Sequence, residues 1–258
     1  RNFLLTSHDR YDVIRLDPPE LHTAGVVNLY TREFYELYAN VEIPEWPNYR
    51  WPSRAINAPH QVKIHHDVEE LTWKDWAEAI RYYYAFTSLI DSQIGRLLDY
   101  LDEAGLAENT IVVYTSDQGF YLGEHGWFDK RFMYEESLRM PFLLRYPKEV
   151  QVASTNDEII LNLDFAPLFL DLAGIQQPDS FQGRSFRDLW RGETPSDWQQ
   201  SMYYRYWMHK AHHNVYAHYG VRTLKYKLIY YYSDALGQPG AIDETYEPEW
   251  ELFDLEKD

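Results

Sequence analysis

The sequence predicts an α/β protein that ends in a small antiparallel sheet, and three features of the chain support this prediction. Residues 72–104 show apolar side chains at helical spacing. Two short apolar runs, residues 111–116 and 142–146, have the length and composition of strands, and the first is expected to be buried. From residue 199 to 258 aromatic, β-prone runs dominate, which is typical of antiparallel strands.

Composition limits the classes of function. The chain has 258 residues, 45% of them hydrophobic, so it can bury a sizeable core. Its net charge of −17 argues against a nucleic-acid-binding surface and means that an anionic ligand would need a local basic pocket. No apolar run is long enough to span a membrane, and no signal peptide is visible. The chain has no cysteine, which leaves its redox compartment undetermined.

Residues 1–105 are predicted to contain one long helix. Residues 1–70 are irregular and rich in proline, with a short strand at residues 3–6 and a short helix at 31–38. Thr72 is expected to cap the long helix, with an acidic capping box completed three residues later, and Gly105 to end it. The three consecutive tyrosines of this helix, residues 82–84, are predicted to pack in the core.

The second half of the chain is predicted to contain two further helices and a domain boundary. A helix is expected at residues 163–173, with Pro167 tolerated in its first turn, and a shorter helix is expected to end at Arg191. The polar segment that follows contains a proline and suggests a boundary. We therefore predict a main domain over residues 1–192 and a C-terminal subdomain over 199–258.

The stretch from residue 115 to 136 contains the residues most suited to chemistry. Asp117 and Gln118 directly follow the first predicted strand, which therefore presents a carboxylate and an amide at its end. Three glycines within residues 119–126 allow tight turns and close approach of the backbone to a ligand. Lys130 follows twelve positions after Gln118. Oxygen ligands, a flexible loop and a cation together indicate a site for a metal and an anion.

This stretch resembles the signature of the type I sulfatases, in the alkaline-phosphatase-like superfamily. The matching segments are Ser116-Asp117-Gln118-Gly119, Leu122-Gly123-Glu124-His125-Gly126, Lys130, and residues 134–145. The resemblance implies an alkaline-phosphatase-like sheet flanked by helices, present in part, and hydrolysis of sulfate esters. It also implies that Asp117 and Gln118 bind Ca²⁺, with Mg²⁺ as an alternative that needs stricter geometry. Lys130 would be the catalytic cation that contacts a sulfate oxygen. Taken alone, it would be an exposed loop lysine paired with Asp129.

The nucleophile of this family is missing from the chain. In the family, a Cys or Ser within Cys/Ser-x-Pro-Ser-Arg is converted to formylglycine. The Pro-Ser-Arg at residues 52–54 has Arg50 at the nucleophile's position, and we interpret it as coincidental. The aspartate pair that opens family sequences is absent too. The resemblance therefore implies the C-terminal portion of a sulfatase, inactive alone and with weak or no metal binding, with formylglycine and the other metal ligands upstream.

Several side chains are candidate substrate contacts. His213, His218 and Arg222 lie in a tail that resembles those of sulfatases acting on amino sugars, so the resemblance suggests that they read the sugar. A histidine-rich loop can equally be a metal site or plain surface. His125 has an imidazole suited to acid–base work, although a structural role is favoured. His8 is a candidate for the family's sulfate-contacting histidine.

The sequence therefore predicts a sulfuric ester hydrolase acting on a sulfated sugar. One alternative is a phosphonate or phosphodiester hydrolase of the same superfamily. Another, of a different class, is a noncatalytic carbohydrate-binding relic. The resemblance suggests a periplasmic or secreted protein, and the oligomeric state is left open.

Overall fold

A computed structural model describes residues 32–49 and 72–257. The predicted strand at residues 3–6 lies outside this range. The helices are Arg32–Tyr38 (α1), Trp73–Glu103 (α2), Glu135–Leu138 (α3), Phe165–Leu172 (α4) and Arg187–Trp190 (α5). The strands are Val112–Thr115 (β1), Tyr121–Leu122 (β2), Phe128–Asp129 (β3), Phe142–Arg145 (β4), Ser201–Tyr206 (β5), His218–Thr223 (β6), Tyr226–Tyr231 (β7) and Glu249–Asp254 (β8). Short 3-10 turns cover Ala107–Asn109 and Asn162–Asp164.

Helix α2 forms as its sequence predicts. The Thr72 hydroxyl accepts a hydrogen bond from the Asp75 N–H at 3.4 Å, and the Asp75 carboxylate accepts one from the Thr72 N–H at 2.9 Å, so the capping box is confirmed. Gly105 follows the helix with φ +66°, as expected of a residue that ends a helix. The predicted helix at 31–38 is confirmed as α1, which packs on α2 with Tyr35 stacked on Tyr82 at 4.3 Å between ring centroids.

The prediction that the three tyrosines of α2 are core residues is wrong for two of them. Tyr82 and Tyr83 are 52% and 45% exposed, whereas the buried face of the helix is formed by Trp76, Ala77, Ile80, Ala85 and Leu89. Three consecutive residues span about 200° around a helix axis, more than half of its circumference, so one face cannot bury all of them.

Strands β1 and β4 are present where they are predicted and pair antiparallel, with Val112 opposite Arg145. The burial expected of β1 is wrong, because this strand has no fully buried residue and Tyr114 is 36% exposed. Side chains alternate between the two faces of the pair. Phe142 and Leu144 pack against the core cluster of α4 and α5, while Leu143 on the other face is 65% exposed.

The four C-terminal strands form one antiparallel sheet in the order β5-β6-β7-β8, as predicted for the tail. Its inner face packs against the segment between β2 and α3. Together they form the largest described core cluster, Tyr121, Trp127, Phe132, Met133, Tyr134, Val215, Tyr216, Ile229 and Tyr231. On the outer face Arg205, Tyr219, Tyr230 and Trp250 lie in register across all four strands. Because one core cluster contains residues from both sides of positions 192–198, the division at this segment stays a prediction.

Within the described ranges, α2 is the long helix, and neither it nor any other helix combines the length and apolar character that crossing a bilayer demands.

Gly220 should be required where the sheet meets the core. A Cβ at this position would collide with the Leu228 carbonyl oxygen and lie 2.5 Å from Met133 Sδ. We expect Gly220→Ala to lower the free energy of unfolding by about 1–3 kcal/mol, the usual cost of overpacking. Gly95→Ala is the control, since nothing lies within 4 Å of a Cβ there and alanine favours helix by about 0.5–1 kcal/mol. Urea unfolding of the purified protein compares the two, and equal stability of G220A and wild type would contradict the packing described.

Candidate active site

The turn after β1 presents the two predicted metal ligands at the protein surface. Asp117 is exposed, Gln118 is half-buried, and the Asp117 carboxylate accepts a long hydrogen bond of 3.4 Å from Ser116 Oγ. The Asp117 carbonyl accepts a bond from Asn162 Nδ2 at 2.8 Å. Gly119 then passes directly over α3, where a Cβ would collide with the Glu136 carbonyl oxygen. The turn is therefore fastened by its backbone while the Asp117 carboxylate stays open to solvent.

The donor types of this turn fit a hard cation, but they would fill a small part of its coordination shell. Ca²⁺ takes 6–8 oxygen ligands, and Asp117 and Gln118 supply two side chains. Among the residues that the structure describes, no group of three or more His, Cys, Asp or Glu side chains is placed to hold a metal ion. Further ligands would have to come from beyond the described residues or from water.

The segment from β2 to α3, residues 121–134, contains an unusual run of positive φ angles. Strands β2 and β3 form a hairpin, and Gly123 at its tip has φ +102° and lies against the Trp76 ring. Among residues with side chains, His125 has φ +57°, Asp129 +76° and Arg131 +104°. Such conformations cost on the order of 1–3 kcal/mol each and persist when the surrounding packing enforces them.

Lys130 lies in this strained segment and is half-exposed. Its Nζ is 3.6 Å from Asp129 Oδ1. The same carboxylate pairs with the Arg131 guanidinium and with His213 Nε2, the latter at 3.2 Å. Burial acts to raise the pKa of Asp129, but the Arg131 hydrogen bond and the neighbouring charges outweigh it and hold the pKa below its usual range. Lys130, Arg131 and His213 thus converge on one acid.

The sequence indicates Asp129 only as the partner of an exposed Lys130, a pair that the structure contains, and it does not indicate Arg131. The adjacent Asp-Lys-Arg triplet was the available signal, but it reads equally well as a solvated loop. His213 contacts Asp129 although the two residues are 84 positions apart. This contact places the loop between β5 and β6 against Asp129, the residue next to Lys130. We call residues 115–136 the signature segment. Of the predicted sugar contacts in the tail, His213 is the one that the structure places beside the charged cluster of this segment.

The other candidate contacts are placed differently. His125 is buried, and its Nε2 lies 3.2 Å from Glu136 Oε1, which also accepts a bond from Asn48 Nδ2 at 2.9 Å. Burial acts to raise the pKa of Glu136, but the hydrogen bond and charge of His125, a backbone hydrogen bond and the Lys227 charge together outweigh it, so the pKa lies below its usual range. These contacts favour the structural role of His125 over contact with a ligand. His8 lies outside the described residues.

His218 and Arg222 point into the packed inner face of the sheet. His218 is completely buried, its Nδ1 lies 2.7 Å from the Tyr216 carbonyl oxygen, and its ring stacks with Phe132. Burial lowers the pKa of His218 to about 4, so the ring is neutral at physiological pH. The Arg222 guanidinium pairs with the Glu135 carboxylate at 3.0 Å. These placements do not support a sugar contact by His218 and give Arg222 a role in joining β6 to α3.

A buried carboxylate holds the segment to β8. Glu251 accepts hydrogen bonds from Tyr134 Oη at 2.7 Å and from Tyr231 Oη at 3.0 Å. Burial raises the pKa of Glu251 to about 7. Lys227 is buried nearby, 3.4 Å from Glu135 Oε1, and burial lowers its pKa. No sequence pattern indicated this cluster, because its members come from β7, β8, α3 and the residue that precedes α3.

Ser137 joins the two halves of the candidate site, namely the turn of Asp117 and Gln118 and the segment that contains Lys130. The Ser137 carbonyl oxygen accepts a hydrogen bond from the Gly119 N–H at 2.8 Å, next to the predicted metal ligands. Its Oγ accepts one from the Arg131 N–H at 3.0 Å, next to Lys130. The structure thus connects Asp117, Gln118 and Lys130 through a shared residue of α3.

Two protein-family descriptions each match more than half of this chain. Residues 19–175 match the family described as sulfatase, and residues 123–258 match the C-terminal region of N-sulphoglucosamine sulphohydrolase. The alkaline-phosphatase-like fold and the signature segment define the class, and the chain belongs to the sulfatase family.

The matches with individual relatives cover most of this chain but a much smaller part of each relative. The chain is 48% identical over 190 residues to an N-acetylglucosamine-6-O-sulfatase of Bacteroides thetaiotaomicron, which covers 73% of this chain and 32% of that protein. It is 32% identical over 187 residues to an arylsulfatase of Clostridium perfringens, covering 71% and 36% respectively. The chain therefore spans about a third of the length of these relatives.

Solved structures also match most of this chain and a smaller part of their own chain. One protein, solved in complex with its substrate D-glucosamine-2-N,6-O-disulfate, is 48% identical to this chain with a TM-score of 0.63, covering 71% of this chain and 35% of that one. A phosphonate monoester hydrolase from Silicibacter pomeroyi has a TM-score of 0.60 at 23% identity, covering 73% and 37%, which shows a shared fold.

The buried Glu251 should make stability depend on pH. Its folded pKa of about 7 lies above the ordinary 4.5, so between these values the folded state binds more protons than the unfolded state. The Glu251 contribution is therefore fully present below about pH 4.5 and is lost as pH rises to about 7. The unfolding free energy of wild type minus that of Glu251→Gln should fall by about 3 kcal/mol over this range.

The difference between the two proteins is the quantity to measure, because His218 acts in the opposite direction. Its lowered pKa contributes stability that is lost as pH falls from about 6.5 to 4. Urea titrations at several pH values would provide the comparison, with exposed Glu193→Gln as the control. A difference that does not change with pH would contradict the placement of Glu251.

Proposed function

We propose that the whole protein hydrolyses the sulfate ester of an amino sugar of the glucosamine 6-sulfate type, and that this chain forms one wall of its active site. The observation that supports this most directly is the cluster around Lys130, which joins a half-exposed cation to Asp129, Arg131 and His213 beside the turn of Asp117 and Gln118. The relatives named for glucosamine sulfates support the same substrate class.

The cations around Lys130 suit an anionic substrate, although the protein as a whole is negatively charged. A net charge of −17 repels sulfate at long range, so cations must be concentrated where the ester binds. Lys130 supplies a compact ammonium that donates to a sulfate oxygen and stabilises the charge that develops as the ester bond breaks. Asp129 would accept hydrogen bonds from sugar hydroxyls, while Arg131 and His213 hold that carboxylate ionised and oriented.

Two further components of the site are part of this proposal. Asp117 and Gln118 would hold Ca²⁺, with Mg²⁺ as the alternative, and the bound cation would neutralise charge on the sulfate. Formylglycine would supply the nucleophile, from a residue outside this chain, since the chain contains no cysteine and no matching motif. We also propose that the protein is periplasmic or secreted, on the family resemblance.

The competing functions predict different assay results. A phosphonate or phosphodiester hydrolase would share this scaffold and metal turn, and a carbohydrate-binding relic would bind the sugar without releasing sulfate. The purified whole protein should release sulfate from N-acetylglucosamine 6-sulfate faster than it hydrolyses an aryl phosphonate. Preferential phosphonate hydrolysis, or sugar binding without any turnover, would overturn the proposal.

Replacing Lys130 should impair catalysis more than binding. We expect Lys130→Ala to reduce kcat on the sulfated sugar by about 10²–10³-fold, the usual loss when one group that stabilises developing charge is removed. Lys148→Ala is the matched control, because Lys148 is exposed and bonds Asn109 instead of the signature segment. Equal rates for wild type and K130A would exclude Lys130 as the catalytic cation.

Removing Asp117 should abolish metal-dependent stabilisation. A ligand that binds the folded state raises the melting temperature by mass action. Millimolar Ca²⁺ should therefore raise the Tm of the chelator-treated whole protein and leave that of Asp117→Ala unchanged. Asp157→Ala, an exposed acid elsewhere, is the control. The same Ca²⁺-induced shift in D117A as in wild type would place the metal elsewhere.

A further inference from the structure

The backbone at Arg131 is the most strained part of the signature segment. Its φ of +104° lies beyond the left-handed helical region and is a conformation that favours glycine. Arg131 directly follows Lys130, and Asp129 on the other side has φ +76°. Relaxing either residue would rotate the intervening peptide units and move the Lys130 ammonium. The direction of Lys130 therefore depends on whatever keeps Arg131 in this conformation.

Two side-chain hydroxyls hydrogen-bond the backbone of Arg131, one at each of its polar groups, and the buried His218 ring also interacts with this backbone. The Arg131 N–H donates to Ser137 Oγ at 3.0 Å, and its carbonyl oxygen accepts from Tyr204 Oη at 2.8 Å. Ser137 is buried, and Tyr204 is packed against the main core cluster. Burial raises the pKa of Tyr204 to about 12, so its hydroxyl is protonated and remains a donor at physiological pH.

These two bonds are stronger candidates for the restraint than the side-chain pair of Arg131. The Arg131 guanidinium also pairs with Asp129, but ion pairs near the surface typically contribute little to stability. Leaving a backbone polar group without its partner costs free energy of the same order as the strained conformation itself. We therefore expect loss of either bond to let Arg131 relax.

Ser137 also fixes the distance between the two halves of the site. Its carbonyl oxygen binds the Gly119 N–H while its hydroxyl binds the Arg131 N–H. The two bonds use different atoms, so a change of the side chain leaves the Gly119 contact intact. The hydroxyl can therefore be tested separately from the backbone of α3.

We propose that Ser137 and Tyr204 are positioning residues that hold Arg131 in its strained conformation and so direct Lys130 towards the sulfate. This rests on the proposed function for its catalytic consequence. The placement itself, a serine hydroxyl and a tyrosine hydroxyl on opposite sides of one residue, does not depend on it.

The test uses Ser137→Ala and Tyr204→Phe in the whole protein, with N-acetylglucosamine 6-sulfate as the substrate. Each variant should lower kcat by about ten- to a hundredfold, since misplacement by about 1 Å costs up to about 10². KM should change by less than about threefold, because Lys130 acts mainly on charge that develops in the reaction. Tyr203→Phe, on the exposed side of the same strand, and exposed Ser154→Ala are the matched controls.

A double-mutant cycle distinguishes positioning from general destabilisation. If Ser137 acts through Lys130, adding Ser137→Ala to Lys130→Ala should change kcat by less than about twofold, since interacting residues are non-additive. Fully multiplicative losses, or kcat within twofold of wild type for both S137A and Y204F, would overturn the proposal. If S137A does not fold, Y204F alone decides, because it keeps the ring and removes one hydroxyl.

Hydrogen exchange separates this proposal from the proposed function. The Arg131 amide should exchange faster in S137A than in wild type, while amides of the C-terminal sheet keep their protection. This result supports the placement even if the wild-type protein releases no sulfate, an outcome that would overturn the proposed function alone. An Arg131 amide that exchanges equally in both proteins would overturn the positioning role.

Discussion

The packing of the signature segment against the C-terminal sheet is the constraint on which the rest of the site depends. Tyr121, Trp127, Phe132 and Tyr134 are at most 2% exposed and meet Ile229 and Tyr231 from the sheet. Each such side chain contributes about 1.5–3 kcal/mol when it is buried. That is the same order as the cost of each residue held at positive φ. The aromatic residues are interspersed with the strained ones along the chain, so the packing can enforce an unfavourable backbone around Lys130.

Electrostatics within this interface follow from the same packing. Arg222 and Lys227 from the sheet both pair with Glu135, and Glu251 is held by two tyrosine hydroxyls. A buried ion that lost its partner would cost several kcal/mol, so these pairs fix the register of α3 on the sheet. Lys130 differs from Lys227 in being half-exposed instead of buried. The fold therefore uses one set of cations for assembly and leaves another facing solvent.

Local sequence signals predicted the elements well but not which faces are covered. The capping box at Thr72, the turn at Gly105 and the four strands of the tail depend on contacts between neighbours in sequence, and all are confirmed. The burial of β1 and of the tyrosines on α2 depends on what packs against them. His218 shows the same limit, because alternation places it on one face with Arg222 without indicating that this face is the inner one. The signature motif identified Asp117, Gln118 and Lys130, but the Glu251 cluster and the contact of Tyr204 with Arg131 join distant positions.

The histidines of the C-terminal sheet suggested that it contacts the sugar directly. In the structure most of these predicted contacts instead pack the sheet against the signature segment. Two of the three tail residues predicted to read the sugar, His218 and Arg222, are committed to the interface with the signature segment. The tail reaches the charged cluster through His213 and holds the backbone beside Lys130 through Tyr204. Under the proposed function, substrate recognition and the direction of Lys130 would then depend on the same sheet. A sugar bound at Asp129 would have its sulfate placed relative to Lys130 by the same sheet that fixes both residues.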